Sequence, residues 1–290
     1  MSAPRLPERA MWLDGALVRG DQAVISLFDR GARDGEGIFE TLRIYERRPF
    51  QWRRHLERLV LAAAELGFPV PPHPARLREA LETMLEAEGL KDAVARITVT
   101  RGVPGGRPTK TGCWIELEPL ESRLWSGTRS GRASAVFSRR PFEPGALGAY
   151  KTTSRLAYHL AREEARAARA DEAVLVSGAG EVLEGAVSNL FAVIGGAVVT
   201  PPLARGILPG LTRAFVLEAA ADLGLECREE HIDRGTIAGA DEVFLTNSVQ
   251  QVVPLATLAG QPLPAQTTGV RLRDAYRTAV ERALQGSEEA

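Results

Sequence analysis

The possible folds of this chain are limited most by the way its turn signals alternate with helical segments. Three two-residue turn signals each separate two short apolar runs, namely Asp14-Gly15, Gly195-Gly196 and Ala259-Gly260. Such signals predict β-hairpins. Between them, apolar residues recur with helical spacing, as they do over residues 52–66 before Gly67. Hairpins that alternate with helices predict an α/β (α+β) chain of mixed sheets with flanking helices, and they argue against a purely parallel Rossmann array.

The length of the chain and one polar stretch near its middle predict two domains. The chain has 290 residues, which is about twice the length of a typical domain. Residues 121–132 are polar, carry glycine and serine, and lack hydrophobic periodicity, as is typical of a linker. We therefore predict a small N-terminal α/β domain over residues 1–120 and a larger C-terminal domain over residues 133–290.

Charge, cysteine and hydropathy patterns argue against several classes of function. The 36 basic residues are balanced by 37 acidic ones, whereas a generic binder of nucleic acid or anionic membranes needs a basic excess. Two cysteines are too few for a disulfide framework, and the four histidines show no HxxxH or HExxH spacing for a metal site. The sequence shows neither a signal peptide nor a run of about 20 apolar residues. We expect a reduced, cytoplasmic protein that binds no metal, nucleic acid or membrane.

Amine chemistry has few candidates here, because only three of the 36 basic residues are lysines: Lys91, Lys110 and Lys151. Lys151 has small or apolar neighbours, and burial would lower the pKa of its amine and make it nucleophilic. A lone lysine is ordinarily solvated. Glu184 nevertheless supports a functional role for Lys151, because it is a carboxylate among the small residues of LEGAVSNLF. A buried carboxylate is costly unless it is paired, and a cationic cofactor ring would be such a partner.

Eight segments of the chain, taken in order, carry a resemblance to a known family. They are WLDGALV, DGEGIFETLR, HLERL, YKTTSRL, DEAVLV, EGAVSNLF, GILPGLTR and DEVFLTNSVQQVVP, which together span about residues 11–270. The set resembles the class IV aminotransferase family, the fold-type IV enzymes that depend on pyridoxal phosphate. The resemblance implies a two-domain fold like that of D-amino-acid aminotransferase, pyridoxal 5'-phosphate as cofactor and a small-molecule amino substrate. It also implies a homodimer, with the active site between the two domains and the partner chain near its entrance.

The resemblance implies a role for each residue that matches the cofactor site of the family. Lys151 matches the lysine that forms a Schiff base with the cofactor and moves the proton at the substrate carbon. Glu184 matches the carboxylate that keeps the pyridine nitrogen protonated. Arg58, in HLERL, matches the arginine that pairs with the cofactor phosphate. The other implied cofactor residues are Leu208, which would pack on the ring, Leu211 and Thr212 at a helix start, and Thr246, Asn247 and Ser248.

The residues near the substrate distinguish the reactions of this family. Branched-chain aminotransferases carry a tyrosine five residues after the lysine, whereas this chain has Leu156 in KTTSRL, closer to the K-x-x-N-R-L of 4-amino-4-deoxychorismate lyases. The carboxylate trap of the D-amino-acid enzymes is incomplete, since Thr109 stands where a histidine should follow Arg107. We predict a 4-amino-4-deoxychorismate lyase that forms 4-aminobenzoate and pyruvate. The alternatives are a branched-chain or D-amino-acid aminotransferase and, outside catalysis, a binding protein on this scaffold.

Arginine is the residue best suited to bind the carboxylates of such substrates. Arg96 lies within the apolar run VARITV, where a charge needs a partner. This partner is either an acidic side chain in a structural ion pair or a carboxylate of the substrate, and the resemblance favours the substrate. Phe39, Arg107 and Arg155 complete the predicted substrate-binding set.

Overall fold

The computed structural model describes residues 9–105 and 112–286, which form two compact units. The first unit comprises Met1–Arg123, Tyr150–Ser154 and Ala283–Ala290, and the second comprises Leu124–Ala149 and Arg155–Arg282. Arg107 lies outside the described residues. The segment over residues 121–132, which the sequence analysis assigns to a linker, contains one short helix.

The first unit is built on a sheet of six antiparallel strands. The strands are β1 (Ala10–Leu13), β2 (Ala16–Arg19), β3 (Gly37–Tyr45), β4 (Arg48–Pro49), β5 (Ala93–Thr100) and β6 (Cys113–Pro119). Their order across the sheet is β2-β1-β6-β5-β3-β4. The helices are α1 (Arg30–Asp34), α2 (Trp52–Glu65) and α3 (Pro74–Ala87). The hairpin predicted at Asp14-Gly15 and the helix predicted over residues 52–66 are therefore present.

Local sequence explains most of these elements. The β1–β2 turn has positive φ at both central residues, 51° at Asp14 and 106° at Gly15, as a tight hairpin requires. Helix α3 begins with Pro74, whose fixed φ suits the first helical position. Helices α2 and α3 pack their apolar faces into one core with the sheet, where Leu59 and Leu81 are fully buried. Burial of these faces, rather than helix propensity, stabilises the two helices.

Strand β3 is the main element that the periodicity analysis does not predict. Its sequence, GIFETLRIY, is buried at seven of nine positions, so it does not alternate between apolar and polar residues. Glu40 lies in the middle of this strand, opposite Ile97 of β5. A strand with both faces covered therefore carries a carboxylate into the interior of the first unit.

The second unit is built on a mixed sheet of ten strands. They are β7 (Ala133–Phe137), β8 (Glu172–Val176), β9 (Glu181–Gly185), β10 (Asn189–Ile194), β11 (Ala197–Thr200), β12 (Cys227–Glu229), β13 (Ile232–Asp233), β14 (Glu242–Asn247), β15 (Gln251–Leu258) and β16 (Gln261–Pro262). Their order is β12-β11-β10-β14-β15-β7-β8-β9-β13, with β16 beside β15. The β7–β8, β7–β15 and β11–β12 pairs are parallel, and the other pairs are antiparallel. The predicted mixed sheet is confirmed.

Five helices begin in the second unit: α4 (Ser126–Ser130), α5 (Leu156–Ala167), α6 (Leu211–Asp222), α7 (Arg234–Ala238) and α8 (Thr267–Gln285). One-turn 3-10 helices cover Gly20–Gln22, Leu120–Ser122, Gly145–Leu147 and Leu203–Arg205 along the chain. Within the described ranges, every helix is too short or too polar to cross a lipid bilayer. The same ranges contain no group of three or more histidine, cysteine or acidic side chains arranged to hold a metal ion.

Candidate active site

The backbone around Lys151 is hydrogen-bonded to β3 of the first unit. The Lys151 carbonyl accepts a bond from the Phe39 N–H at 2.9 Å, and the Thr153 N–H donates to the Gly37 carbonyl at 2.8 Å. A Cβ on Gly37 would lie 2.6 Å from the Thr153 hydroxyl, so the close approach requires glycine. The predicted domain boundary assigns Lys151 to residues 133–290, whereas these bonds join its backbone to the first unit.

The aromatic ring of Phe39 contacts two cationic side chains. Lys151 Nζ lies 4.8 Å from the ring centroid, and Arg96 Cζ lies 3.9 Å from it. Arg96 Nε is also 3.9 Å from a carboxylate oxygen of Glu116, and both side chains of this pair are about 40% exposed, at 38% and 42%. Such a long, exposed ion pair contributes little to stability. Arg96 Nε also donates to Thr98 Oγ1 at 3.3 Å, so the guanidinium is held close to the ring that Lys151 contacts.

Arg58 is bound to a buried carboxylate that the sequence analysis does not identify. Its Nε donates to Glu40 Oε1 and its Nη2 donates to Glu40 Oε2, each at 2.7 Å. His55 Nδ1 lies 2.7 Å from the same Oε2. A glutamate within the apolar run GIFETLRIY is the sequence signal that could have drawn attention to Glu40, because a charge in such a run needs a partner.

Glu184 lies on β9 with only 3% of its surface exposed. Its Oε2 accepts bonds from the Leu208 N–H at 3.2 Å and from Asn189 Nδ2 at 3.3 Å. Asn189 Nδ2 also donates to the Leu208 carbonyl at 2.9 Å. A Cβ on Gly210 would lie 2.0 Å from Asn189 Oδ1, so only glycine fits there. Asn189, which the sequence analysis does not identify, thus joins the carboxylate to the segment that precedes α6.

Two buried hydroxyls lie in the second unit without a hydrogen-bond partner among the described residues. They are Thr212 Oγ1, in the first turn of α6, and Thr246 Oγ1, on β14. A buried hydroxyl without a partner is costly and rare in native proteins. Helix α6 begins after Gly210, and no side chain caps its N-terminus, which attracts anions. A phosphate group would satisfy these donors, so they fit the cofactor that the resemblance implies.

The turn after β14 contains Asn247 and Ser248. Asn247 Oδ1 accepts bonds from the N–H groups of Val249 at 2.9 Å and Gln250 at 2.7 Å, and its Nδ2 donates to the Val187 carbonyl at 3.1 Å. Asn247 therefore shapes the turn, while Ser248 beside it is half-buried. Leu211, the first residue of α6, is half-buried as well.

Arg155 binds within its own unit. Its Nη2 donates to the Ala186 carbonyl at 2.7 Å, and its Cζ lies 3.7 Å from the ring centroid of Tyr158. Burial and the nearby charge of Glu184 raise the pKa of Tyr158 to about 12, although Arg155 opposes this rise. Arg155 thus supports the turn that follows Glu184. Its predicted contact with a substrate carboxylate stays a prediction.

Removal of the Thr212 hydroxyl is expected to have different effects on the stability of the cofactor-free protein and on its affinity for the cofactor. Thr212→Val keeps the shape of the side chain and removes a buried donor without a partner, so the cofactor-free protein should be as stable as wild type or more stable. Affinity for pyridoxal phosphate should fall about ten- to 100-fold, as expected for one lost bond to a charged group. Thermal unfolding of the cofactor-free protein and a cofactor titration measure the two effects.

Thr200 provides the matched control, since its buried hydroxyl donates to the Leu190 carbonyl at 2.8 Å. Thr200→Val should lower the melting temperature and leave cofactor affinity near the wild-type value. Equal cofactor affinity of Thr212→Val and wild type would contradict the role of Thr212.

Comparison with known proteins identifies the family. The sequence profile of the family Amino-transferase class IV matches residues 37–258. A Methanocaldococcus jannaschii protein, provisionally named a branched-chain-amino-acid aminotransferase, is 32% identical over 267 residues, or 89% of this chain and 91% of the relative. Aminodeoxychorismate lyase of Bacillus subtilis is 30% identical over 259 residues, or 86% of each chain.

A solved structure shows the same likeness in three dimensions. The T.th. branched-chain amino acid aminotransferase with pyridoxamine 5'-phosphate has a TM-score of 0.83 and 28% identity, over 95% of each chain. The predicted fold and the predicted cofactor are thereby confirmed. The chain belongs to the class IV aminotransferase family and is a pyridoxal-phosphate-dependent enzyme of fold-type IV.

Proposed function

We propose that this enzyme is an amino-acid aminotransferase that takes its amino group from branched-chain amino acids and passes it to a 2-keto acid. The observation that carries the proposal is the shared contact of Lys151 and Arg96 with the ring of Phe39. An amine and a guanidinium on one aromatic ring suit a substrate with an amino group and a carboxylate. The M. jannaschii relative and the T.th. structure support the branched-chain donor. The lyase hypothesis from the sequence thus becomes the second candidate.

Each site residue has a distinct task in this proposal. Bound pyridoxal phosphate supplies an electron sink for the bond that breaks at the substrate carbon. Lys151 would hold the cofactor covalently and carry the proton at the substrate carbon. Glu184 would keep the pyridine nitrogen protonated. On the family resemblance, Arg58 of the first unit and Thr212 and Ser248 of the second are each proposed as phosphate ligands.

Arg96 is proposed to bind the substrate carboxylate. Its side chain is 38% exposed and lies over the same ring as the Lys151 amine, so a substrate carboxylate can reach it next to that amine. A guanidinium offers a carboxylate two parallel N–H donors, which also fixes the orientation of the substrate. The same contact would serve a dicarboxylic keto acid or the carboxylates of aminodeoxychorismate.

The second candidate is 4-amino-4-deoxychorismate lyase. Leu156 occupies the position of the branched-chain tyrosine and is 73% exposed, so it offers no hydroxyl to the site. The B. subtilis relative is a named lyase at nearly the same identity as the M. jannaschii protein. The leucine at position 156 in place of that tyrosine is the specific observation in favour of the lyase.

Two assays on the same enzyme preparation separate the candidates. In the first, leucine, isoleucine, valine and D-alanine are each offered with 2-oxoglutarate, and glutamate is measured. In the second, aminodeoxychorismate is offered without any keto acid, and 4-aminobenzoate and pyruvate are measured. We expect glutamate from the branched-chain amino acids and little or no aminobenzoate. Aminobenzoate with pyruvate, and no glutamate from any amino acid, would reject the aminotransferase in favour of the lyase.

The proposal includes two further features that follow from the family resemblance. We propose a homodimer, which light scattering would report as twice the chain mass of 31.3 kDa. We also propose a cytoplasmic location, which fractionation of the source cells would check.

A further inference from the structure

We propose that Glu40 and His55 are positioning residues that orient Arg58 for the phosphate of the cofactor. The inference rests on the proposed role of Arg58 as a phosphate ligand. It concerns side chains of the first unit alone, all of which lie on β3 and α2. None of the predicted site residues other than Arg58 belongs to this cluster.

The geometry of the cluster fixes the plane of the Arg58 guanidinium. Glu40 meets it with both carboxylate oxygens, through bonds of 2.7 Å from Nε and 2.7 Å from Nη2. His55 precedes Arg58 by three residues on α2, so both side chains lie on the same face of the helix. His55 Nδ1 lies 2.7 Å from Glu40 Oε2, the oxygen that also accepts from Arg58 Nη2. The two bonds from Arg58 engage the Nε–Nη2 edge of the guanidinium, which fixes its orientation relative to Glu40.

Burial of this cluster in the interior of the unit costs desolvation free energy. Glu40 and His55 are each 1% exposed, and they lie on β3 and α2, the elements that also carry core residues such as Leu56 and Leu59. Buried ion pairs gain little net stability over apolar residues of the same volume, because both charges lose their water. Stability alone therefore gives no reason for the cluster. A pre-oriented arginine loses less side-chain entropy when it binds phosphate, which does give a reason.

The charges of the cluster agree with this role. Burial favours the neutral form of Glu40, but Arg58 and His55 outweigh it and lower the pKa of Glu40 to about 2. Burial lowers the pKa of His55, which favours its neutral ring. Because an ionised Glu40 can only accept, the close contact of Nδ1 with Oε2 requires the His55 proton on Nδ1. Glu40 thus stays an anion that His55 and Arg58 both donate to. The orientation of Arg58 persists whether or not a phosphate is bound.

The test compares two ligands that differ only in the phosphate. Pyridoxal phosphate and pyridoxal are each titrated into cofactor-stripped enzyme, and the ratio of their affinities reports the phosphate contact. Arg58→Ala should lower this ratio. Glu40→Gln keeps the shape of the side chain but turns an amide N–H toward Arg58 or His55. It should lower the ratio about ten- to 100-fold, while pyridoxal binds as it does to wild type.

A double-mutant cycle then separates positioning from a structural role. If Glu40 acts through Arg58, adding Glu40→Gln to Arg58→Ala should lower the ratio no further. Glu118→Gln is the control, because it makes the same change to a carboxylate on β6 of the same unit that accepts from another arginine, Arg123 Nη1, at 2.7 Å. It should leave the ratio unchanged.

Variants of His55 provide a second test in case the Glu40→Gln protein does not fold. His55→Asn retains an N–H close to the position of Nδ1 and should keep the wild-type ratio, whereas His55→Leu should lower it. A Glu40→Gln or His55→Leu variant that loses affinity for both ligands equally would overturn the positioning role and leave the function of Arg58 intact. An unchanged ratio in Arg58→Ala would instead overturn both the inference and the proposed phosphate contact. Neither result depends on which amino compound the enzyme converts.

Discussion

Replacing Lys151 with alanine is expected to lower turnover by more than about 10⁴-fold, because the proposed function assigns both covalent attachment and proton transfer to this one side chain. The same variant should lose the visible absorption that wild type shows with pyridoxal phosphate. Absorption spectra and amino-transfer rates, measured on the same preparations, check both effects.

The other two lysines are the controls for this prediction. Lys91 follows α3 in an exposed turn, and Lys110 lies outside the described residues. Alanine at either position should leave colour and turnover close to wild type. A wild-type protein that stays colourless after incubation with pyridoxal phosphate would contradict the role of Lys151, as would a Lys151→Ala variant with normal turnover.

Replacing Glu184 with glutamine is expected to lower kcat about ten- to 100-fold, which is the worth of one charge-assisted hydrogen bond. The amide has the size of the carboxylate and keeps an oxygen for the Leu208 N–H and Asn189. It cannot hold a proton on the pyridine nitrogen as an anion does. The variant should therefore stay folded and coloured while it reacts slowly, which spectra, melting temperature and kcat would show together.

Glu181 is a matched control on the same strand. It pairs with Arg205 and His231, and its side chain is 25% exposed. Glu181→Gln should change kcat by less than the Glu184 variant does. If the two variants lost activity equally, the assignment of Glu184 to the pyridine nitrogen would be wrong.

Local sequence signals predicted much of the fold, but they did not predict strand β3 or helix α4. The hairpin at Asp14-Gly15 and the helices α2, α3 and α6 follow from turn chemistry and helical spacing, which act within a few residues. Strand β3 has no such signal, because it is covered on both sides. Helix α4 is a single short turn inside a polar segment, so composition alone suggested a linker there.

The candidate site divides in the same way. Lys151, Glu184 and Arg58 were each predicted from a separate sequence motif that matches the family. The partners that hold them, such as Glu40 and Asn189, lie on other elements and are joined only by the tertiary fold. The orphaned hydroxyl of Thr212 depends on what surrounds it in three dimensions, which no spacing rule describes.

The choice of reaction depended on too few residues to be settled from motifs. The sequence favoured a lyase through Leu156 and the run KTTSRL, whereas the relatives favour an aminotransferase. Both reactions begin with the same lysine and the same cofactor. The residues that distinguish the two reactions are those expected to meet the substrate, and one fold can host both reactions.

The first unit is assembled from three separate stretches of chain, and this affects how family members can be recombined. A fragment that ends at Arg123 would keep Arg58 but would lack Tyr150–Ser154, the stretch that carries Lys151. A chimera that takes its N-terminal half from one enzyme and the rest from another would therefore join β3 of one parent to the lysine segment of the other. Crossover points on both sides of Tyr150–Ser154 would let the lysine segment be inherited together with its own β3.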